Sequence, residues 1–309
     1  MSKTRLLVTG GRGFIGNELV RQARDRYDVT IVCNGRKIAP RSEDIADVPV
    51  REVDIADYPA LKAAFAEAKP EVVIHLAAIH YIPECNADPE GTLQVNVTGT
   101  QSVLRAARET GVRRVLATSS GAVYADAPGL LHEGSPVGCV DIYAWSKWFC
   151  EELGGWHAKA GVLEVGLVRL FNTYGPRETN HHIVPEIVMQ LQKKPASLSL
   201  GNTSAVRDYI HVRDVARGFL ALAGAPFAAP VETVNLCTGQ GTSVDDIVRG
   251  MGELLGRPLP ITVDPARFRP VDKAVQVGDP ARLTALTGWK PEMELRAGIE
   301  ELLKFEGLL

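Results

Sequence analysis

"VTGGRGFIGNELV", residues 8–20, sets Gly10, Gly13 and Gly16 between an apolar run and an amphipathic one. Glycines at that junction let the chain turn tightly and bring its backbone close to a pyrophosphate, which then rests on the N–H groups of the following helix. The spacing alone is a weak signal, and its neighbours decide its meaning. "RLLVT" (5–9), "VTIVC" (29–33), "VREVD" (50–54), "EVVIHLA" (71–77), "RRVLATSS" (113–120) and "EVGLVRL" (164–170) are short apolar runs separated by amphipathic stretches. Strand–helix alternation of this kind predicts right-handed crossovers, a parallel sheet and helices on both faces. On the first strand–helix turn of such a sheet, the glycines point to a bound dinucleotide.

After Phe171 the alternation loosens. "NTYGPRETNHHIVPE" is rich in loop formers, "RDYIHV" (207–212) returns as a strand, and two helical patterns follow, "SVDDIVRGMGELLG" and "LRAGIEELLKFE". We expect a dinucleotide-binding domain of residues 1–171 plus about 207–238. About 172–206 plus 239–309 would form a smaller, interleaved lobe. The bulk numbers agree with a globular chain of 309 residues: 45% hydrophobic, 23% charged, net charge −3. That charge supplies no basic field for nucleic acid or an anionic membrane surface. The longest weakly polar run, "GFLALAGAPFAAPV" (218–231), is too short and too broken by proline to span a bilayer. No signal-peptide pattern opens the sequence, and the 5 cysteines lack CxxC spacing. A cytoplasmic protein is the expectation. His181 and His182, and the set His75, His80 and Cys85, lack the spacing of a tetrahedral metal site, so no metal is expected.

A carboxylate about 20 residues beyond the glycines would bind the ribose 2′-hydroxyl of NAD, whereas an arginine accommodates the 2′-phosphate of NADP. Here the second strand ends in Cys33 and Asn34, followed by Arg36 and Lys37. This favours NADP, with NAD as the alternative. Asp54, ending the third strand, is placed to accept a hydrogen bond from the adenine amino group; its other reading is a cap for the helix that follows.

Two Tyr–Lys pairs share the i, i+4 spacing, "YPALK" (58–62) and "YAWSK" (143–147). The first opens an outer helix, where Lys62 is expected as a solvated lysine. The second begins a helix shortly after Ser119 and Ser120, which end a strand at the edge where open α/β sheets bind ligands. Residues i and i+4 share a helix face, so Lys147 can approach the Tyr143 phenol and is expected to lower its pKa. Tyr143 would then be a general acid/base for a sugar oxygen. Ser120 would hold the same oxygen as charge develops on it.

"TGGRGFIG", "DIAD", "HLAA", "NVTGT", "TSSGAVY", "YAWSK", "RLFNTYGPR", "RDYIHVRDVA" and "GWKP" occur in one order along the chain. In that order they resemble the extended short-chain dehydrogenase/reductases that modify nucleotide sugars, from about residue 5 to the C-terminus. The resemblance implies an α/β Rossmann domain, a doubly wound parallel sheet, with a smaller C-terminal substrate-binding lobe. It implies Ser120, Tyr143 and Lys147 as the catalytic trio, Lys147 also holding the nicotinamide ribose. Cofactor contacts would come from Gly10, Gly13, Phe14, Ile15, Gly16, Asn34, Arg36, Asp54, Ile55, Leu76, Ala77, Ala78, Thr118 and Leu170. Substrate contacts would come from His80, Ser120, Asn172, Val184, Arg207, Arg269 and Asp272, with Arg269 on the diphosphate and Asp272 on the ribose. The helices at 92–109 and 141–155 resemble those that form a four-helix homodimer interface in this family.

Dehydratases of the group resemble one another in carrying Asp-Glu after the catalytic hydroxyl residue; here Gly121 and Ala122 follow Ser120, so a 4,6-dehydratase is not expected. A 4-ketoreductase spending NADPH and a 4-epimerase retaining NAD remain. "LGNTSAVRDYIHV" and "DPARFRPVDKAVQVGDPARLTALTGWKP" resemble stretches of GDP-4-keto-6-deoxymannose reductases, which favours the reductase and a GDP-sugar. A ketone reductase of non-sugar substrates and a cofactor-sensing binding protein are further alternatives on the same fold.

Overall fold

The side chains of alternate residues on the first strand enter two different cores. Leu6 and Val8 pack with Ile31, Ile74 and Phe219, while Leu7 packs with Val32, Val73, Phe65 and Leu104. A strand apolar on both faces needs cover on both, which only helices from crossover connections provide. The computed structural model, which describes residues 3–35, 43–159, 161, 163–268 and 273–309, has that architecture.

Strands β1 (Thr4–Thr9), β2 (Tyr27–Cys33), β3 (Val50–Glu52), β4 (Val72–His75), β5 (Arg114–Ser120) and β6 (Glu164–Leu170) precede three strands of the second lobe. Those are β7 (Asn172–Tyr174), β8 (Leu198–Leu200) and β9 (Val206–His211); β10 (Val231–Leu236), β11 (Gly241–Ser243), β12 (Ile261–Val263) and β13 (Val275–Gln276) follow. Seven form one parallel sheet in the order β10-β6-β5-β4-β1-β2-β3. From β1 the chain runs outward to β2 and β3, then crosses back to β4. The crevice beyond the carboxyl ends of β1 and β4 is therefore the topological switch point, where this class of sheet binds ligands.

The 207–212 segment forms its strand outside this sheet. As β9 it centres a four-stranded sheet, pairing with β7, β11 and β13, while β8 pairs with β12. Tyr174, Ile187, Leu191, Ile247, Met251 and Leu303 build the core beneath. Among the described residues no helix is long and apolar enough to cross a membrane.

The helical pattern at 92–109 is not one helix. Pro89–Leu93 and Gly99–Glu109 are α-helical, and between them Gln94–Thr98 widens into a π turn. Such turns are common at functional sites. Here the widened turn carries Asn96, whose side chain pairs with both backbone groups of Ile79, at 2.8 Å each. Gly99 then passes so close to Ile55 that a Cβ would lie 2.6 Å from its Cδ1. The helix Ile142–Ala158 starts cleanly because the Asp141 carboxylate accepts from the Ala144 N–H at 2.8 Å.

Candidate active site

The glycine turn lies at the switch point. Gly10 has φ +71°, and a Cβ on it would come within 2.9 Å of the Ala77 nitrogen. A Cβ on Gly16 would lie 2.2 Å from the Gly10 carbonyl oxygen, so the helix Phe14–Ala23 packs directly on the turn. Gly13 caps this helix with no side chain, leaving its first N–H groups to the crevice. Phe14, Ile15, Leu76, Ala77 and Ala78 are half-buried around it. Beneath them, His75 is fixed between Thr9 Oγ1 (2.7 Å) and Thr100 Oγ1 (2.9 Å), and burial lowers its pKa to about 3, so it is neutral. A pyrophosphate with backbone donors and no competing side chain is what this cradle fits. The buried Thr118 Oγ1, which has no hydrogen-bond partner among the described residues, adds a polar atom for a ligand at the end of β5.

Asn34 is exposed at the end of β2. Asp54 Oδ1 accepts from the Ala56 N–H at 3.0 Å, and the cap of the next helix is Asp57, not Asp54. Ile55 is buried in the core. Arg36, Lys37, Arg269 and Asp272 lie outside the described residues.

Tyr143 occupies the first turn of its helix, with its phenol close enough to Ser120 for that side chain to act on its titration. Ser120 Oγ also accepts from the Ala122 N–H at 3.1 Å, which caps the turn Gly121–Val123. Lys147 is buried, with Nζ donating to the Thr118 carbonyl at 2.9 Å and lying 5.9 Å from the centre of the Tyr143 ring. These three side chains and the end of β5 thus converge on one spot. The expectation that Lys147 lowers the tyrosine pKa fails. Burial raises the Tyr143 pKa strongly; Ser120 opposes it, and Lys147 does not figure among the causes. Burial lowers the Lys147 pKa in turn. Tyr143 keeps accessible surface although its hydroxyl lies deep, as on the floor of a cleft, and there desolvation outweighs an ammonium directed at a carbonyl.

The other pair behaves otherwise. Tyr58 donates to Glu109 at 2.5 Å and Lys62 pairs with the same carboxylate at 2.6 Å, so Lys62 is a surface ion-pair partner rather than simply solvated.

On the substrate side, Asn172 is exposed on β7 and Arg207 is buried on β9. His80 contacts Asn180 at 3.0 Å and stacks obliquely on His182, ring centres 5.5 Å apart. His182 is bound to Glu178 at 2.5 Å. Leu170 ends β6 half-buried, while Val184 turns its side chain into the second core and not into the cleft.

Several further residues hold this region together, among them Asn96 and Arg169, which open the stretches "NVTGT" and "RLFNTYGPR". Asn96, on the π turn, donates to Ser146 Oγ at 3.0 Å, and that hydroxyl donates to the Tyr143 carbonyl at 2.7 Å. Glu151, two turns beyond Tyr143, accepts from Ser119 at 2.5 Å and from Arg169 at 2.9 and 2.7 Å. Only the i, i+4 step from Lys147 to Glu151 hints at this in the sequence.

With the glycine cradle and this trio in one crevice, comparison with known proteins is decisive. The model of the NAD dependent epimerase/dehydratase family matches residues 6–237. The chain belongs to that family. It is 30% identical to the UDP-glucose 4-epimerase of Bacillus subtilis, over 96% of this chain and 94% of the relative. It is 31% identical to the GDP-6-deoxy-D-mannose reductase of Pseudomonas aeruginosa, over 97% and 96%. The structure superposes on the UDP-glucose 4-epimerase of Bifidobacterium longum in complex with NAD+ and UDP, with TM-score 0.89, 27% identity and 98% of each chain covered. The fold is thus the Rossmann-like α/β fold of this family, and the family is one of NAD(P)-dependent enzymes acting on nucleotide sugars.

Proposed function

We propose that this chain is an NAD(P)-dependent oxidoreductase acting at C4 of a nucleotide-activated hexose, working as a 4-ketoreductase. The observation that carries this reading is the convergence of Tyr143, Ser120 and Lys147 at the end of β5. A nicotinamide dinucleotide in the glycine cradle supplies or accepts hydride. Tyr143, its pKa raised by burial, is a protonated phenol at neutral pH and so ready to donate to a ketone oxygen as hydride arrives at carbon. Ser120 donates to the same oxygen and stabilises the charge that develops there. Lys147, held by Thr118, orients the ribose of the dinucleotide. The parallel sheet, residues 1–171 with β10, holds the dinucleotide; the second lobe, with β9 at its centre, holds the nucleotide sugar through Asn172, Arg207, Arg269 and Asp272, with His80 of the first part beside it. A dehydratase is disfavoured because Gly121 and Ala122 follow Ser120 where a dehydratase would carry two carboxylates.

The absence of a carboxylate at Cys33–Asn34 supports NADP. A GDP-sugar is the preferred substrate, by the resemblance of 200–212 and 264–291 to GDP-sugar reductases. The second reading, a 4-epimerase retaining NAD, is supported by the names of the Bacillus relative and the Bifidobacterium structure.

A second copy of the chain completes the assembly. Trp145, Phe149 and Trp156 are 45%, 45% and 58% exposed on the helix Ile142–Ala158, at i, i+4 and i+11, hence on one face. Arg108 of the helix Gly99–Glu109 lies 5.7 Å over Trp156.

The test is to denature the purified protein and identify the nucleotide released, then assay the intact protein. Protein free of nucleotide that oxidises added NADPH only with a 4-keto sugar nucleotide supports the reductase. Stoichiometric retained NAD, with interconversion of C4 epimers, overturns it in favour of the epimerase.

A further inference from the structure

The turn that follows Ser120 is held by side chains from a distant part of the chain. Gln276 Nε2 donates to the Gly121 carbonyl at 2.6 Å. Lys273 Nζ donates to the Ala122 carbonyl at 3.3 Å and to the Tyr124 carbonyl. These bonds join residues about 150 positions apart, so no local propensity accounts for them. The same turn packs closely on Phe171, whose ring would lie 3.1 Å from a Cβ at Gly121. The turn therefore cannot shift without breaking bonds to the segment 273–276.

That segment is also part of the substrate side. Gln276 on β13 is the register partner of Arg207 on β9, and Val275 that of Val206. Lys273 is half-buried, and the Arg207 guanidinium is near enough to act on its charge. An anion drawn to Arg207 acts on the same two strands whose side chains grip the carbonyls after Ser120. Glutamine and lysine are suited to this task, since each is a long, flexible donor able to span the gap between two lobes.

We propose that Lys273 and Gln276 are positioning residues that couple occupancy of the nucleotide subsite beside Arg207 to the placement of Ser120. The coupling rests on the nucleotide-sugar reading above. Binding at one site then orders the other, and by linkage a well-placed Ser120 turn favours binding in return. Seating the diphosphate end of a substrate thus steadies the catalytic hydroxyl beside Tyr143, which discriminates against ketones lacking a nucleotide.

The experiment is hydrogen exchange on the full-length protein with saturating NADPH, with and without GDP or UDP. In the wild type, the nucleotide that binds is expected to slow exchange of the Gly121–Tyr124 amides about tenfold, within the usual range of coupling between sites. In the double variant Lys273→Met/Gln276→Ala nucleotide still binds saturably, but the slowing falls below about twofold. Lys273→Arg, which keeps the donors, retains the wild-type response. Should the double variant melt early, Gln276→Ala alone is expected to lose at least half of the response. Wild-type slowing in the variants, or nucleotide binding to the wild type with no slowing at Gly121–Tyr124, overturns the coupling and leaves the proposed function standing. Failure of both nucleotides to bind the wild type overturns the nucleotide-sugar reading, and the coupling with it.

Discussion

Glu151 and Arg169 form a two-pronged ion pair of 2.9 and 2.7 Å with both side chains 5% exposed. The pair ties the helix that carries Tyr143 to β6, and through Ser119 it ties the same helix to β5. The phenol of Tyr143 and the hydroxyl of Ser120, the proposed catalytic pair, sit on that helix and on β5, so their mutual position depends on this buried carboxylate. Arg169 is further enclosed by Tyr124 and Trp148, at 4.7 and 5.9 Å from ring centres.

Removing one partner leaves the other charge buried and uncompensated. Glu151→Ala should cost about 3–5 kcal/mol in urea unfolding, whereas Glu151→Leu/Arg169→Met should recover most of that loss. A double variant as unstable as the single one would show that the pair's surroundings, not its charge, matter.

Gly16→Ala introduces a methyl group 2.2 Å from the Gly10 carbonyl. Relief requires the helix to move off the turn, at about 1–3 kcal/mol of stability. The cradle opens with it, and NADPH binding by fluorescence titration should weaken at least about tenfold, since 1.4 kcal/mol is a factor of ten. Gly111→Ala, in a loop with nothing within 4 Å but with φ +76°, should leave NADPH affinity unchanged.

Buried histidines, His75 and His211 among them, make folding sensitive to acid. His75 and His211 have pKa values lowered by burial from 6.5 to about 3 and about 4. As pH falls below 6.5 the unfolded chain takes up both protons and the folded chain does not. Each group therefore contributes stability that is fully present above pH 6.5 and lost as pH falls toward its folded value, at about 1.4 kcal/mol per pH unit. Unfolding by urea between pH 7 and pH 5 should show this slope, and His75→Asn should lower it by about one proton's worth. An unchanged slope would mean that His75 protonates in the folded state.

Charging the exposed aromatic face should separate the two copies of the proposed dimer. Trp145→Glu/Phe149→Glu is expected to sediment as a monomer with nearly unchanged unfolding stability, because surface substitutions usually stay within about 0.5 kcal/mol. Wild-type protein that already sediments as a monomer would refute the assembly.

The parallel sheet was legible because its signals are local. Gly10, Gly13 and Gly16 mark the first turn, and apolar runs bury both faces of each strand. The convergence of Ser120, Tyr143 and Lys147 was also legible, since strand end and helix start follow within one crossover. What stayed hidden depends on contacts remote in sequence. The slip into a π turn at Gln94–Thr98 has no periodicity of its own, and "NVTGT" does not reveal that Asn96 reaches Ile79 and Ser146. The raised pKa of Tyr143 follows from burial of its hydroxyl, which i, i+4 spacing does not encode. The pairing of β9 with β7, β11 and β13 joins short strands spread across the second lobe, and the grip of Lys273 and Gln276 on the Ser120 turn spans half the chain.

The most direct measurement is NADPH consumption with a 4-keto-6-deoxyhexose nucleotide by the wild type and by Tyr143→Phe. Turnover by the wild type is expected, with a fall of about 10²–10⁴-fold in the variant and NADPH affinity preserved. A phenylalanine variant that turns over within about threefold of the wild type would place the proton elsewhere and contradict the assignment of Tyr143 as the acid.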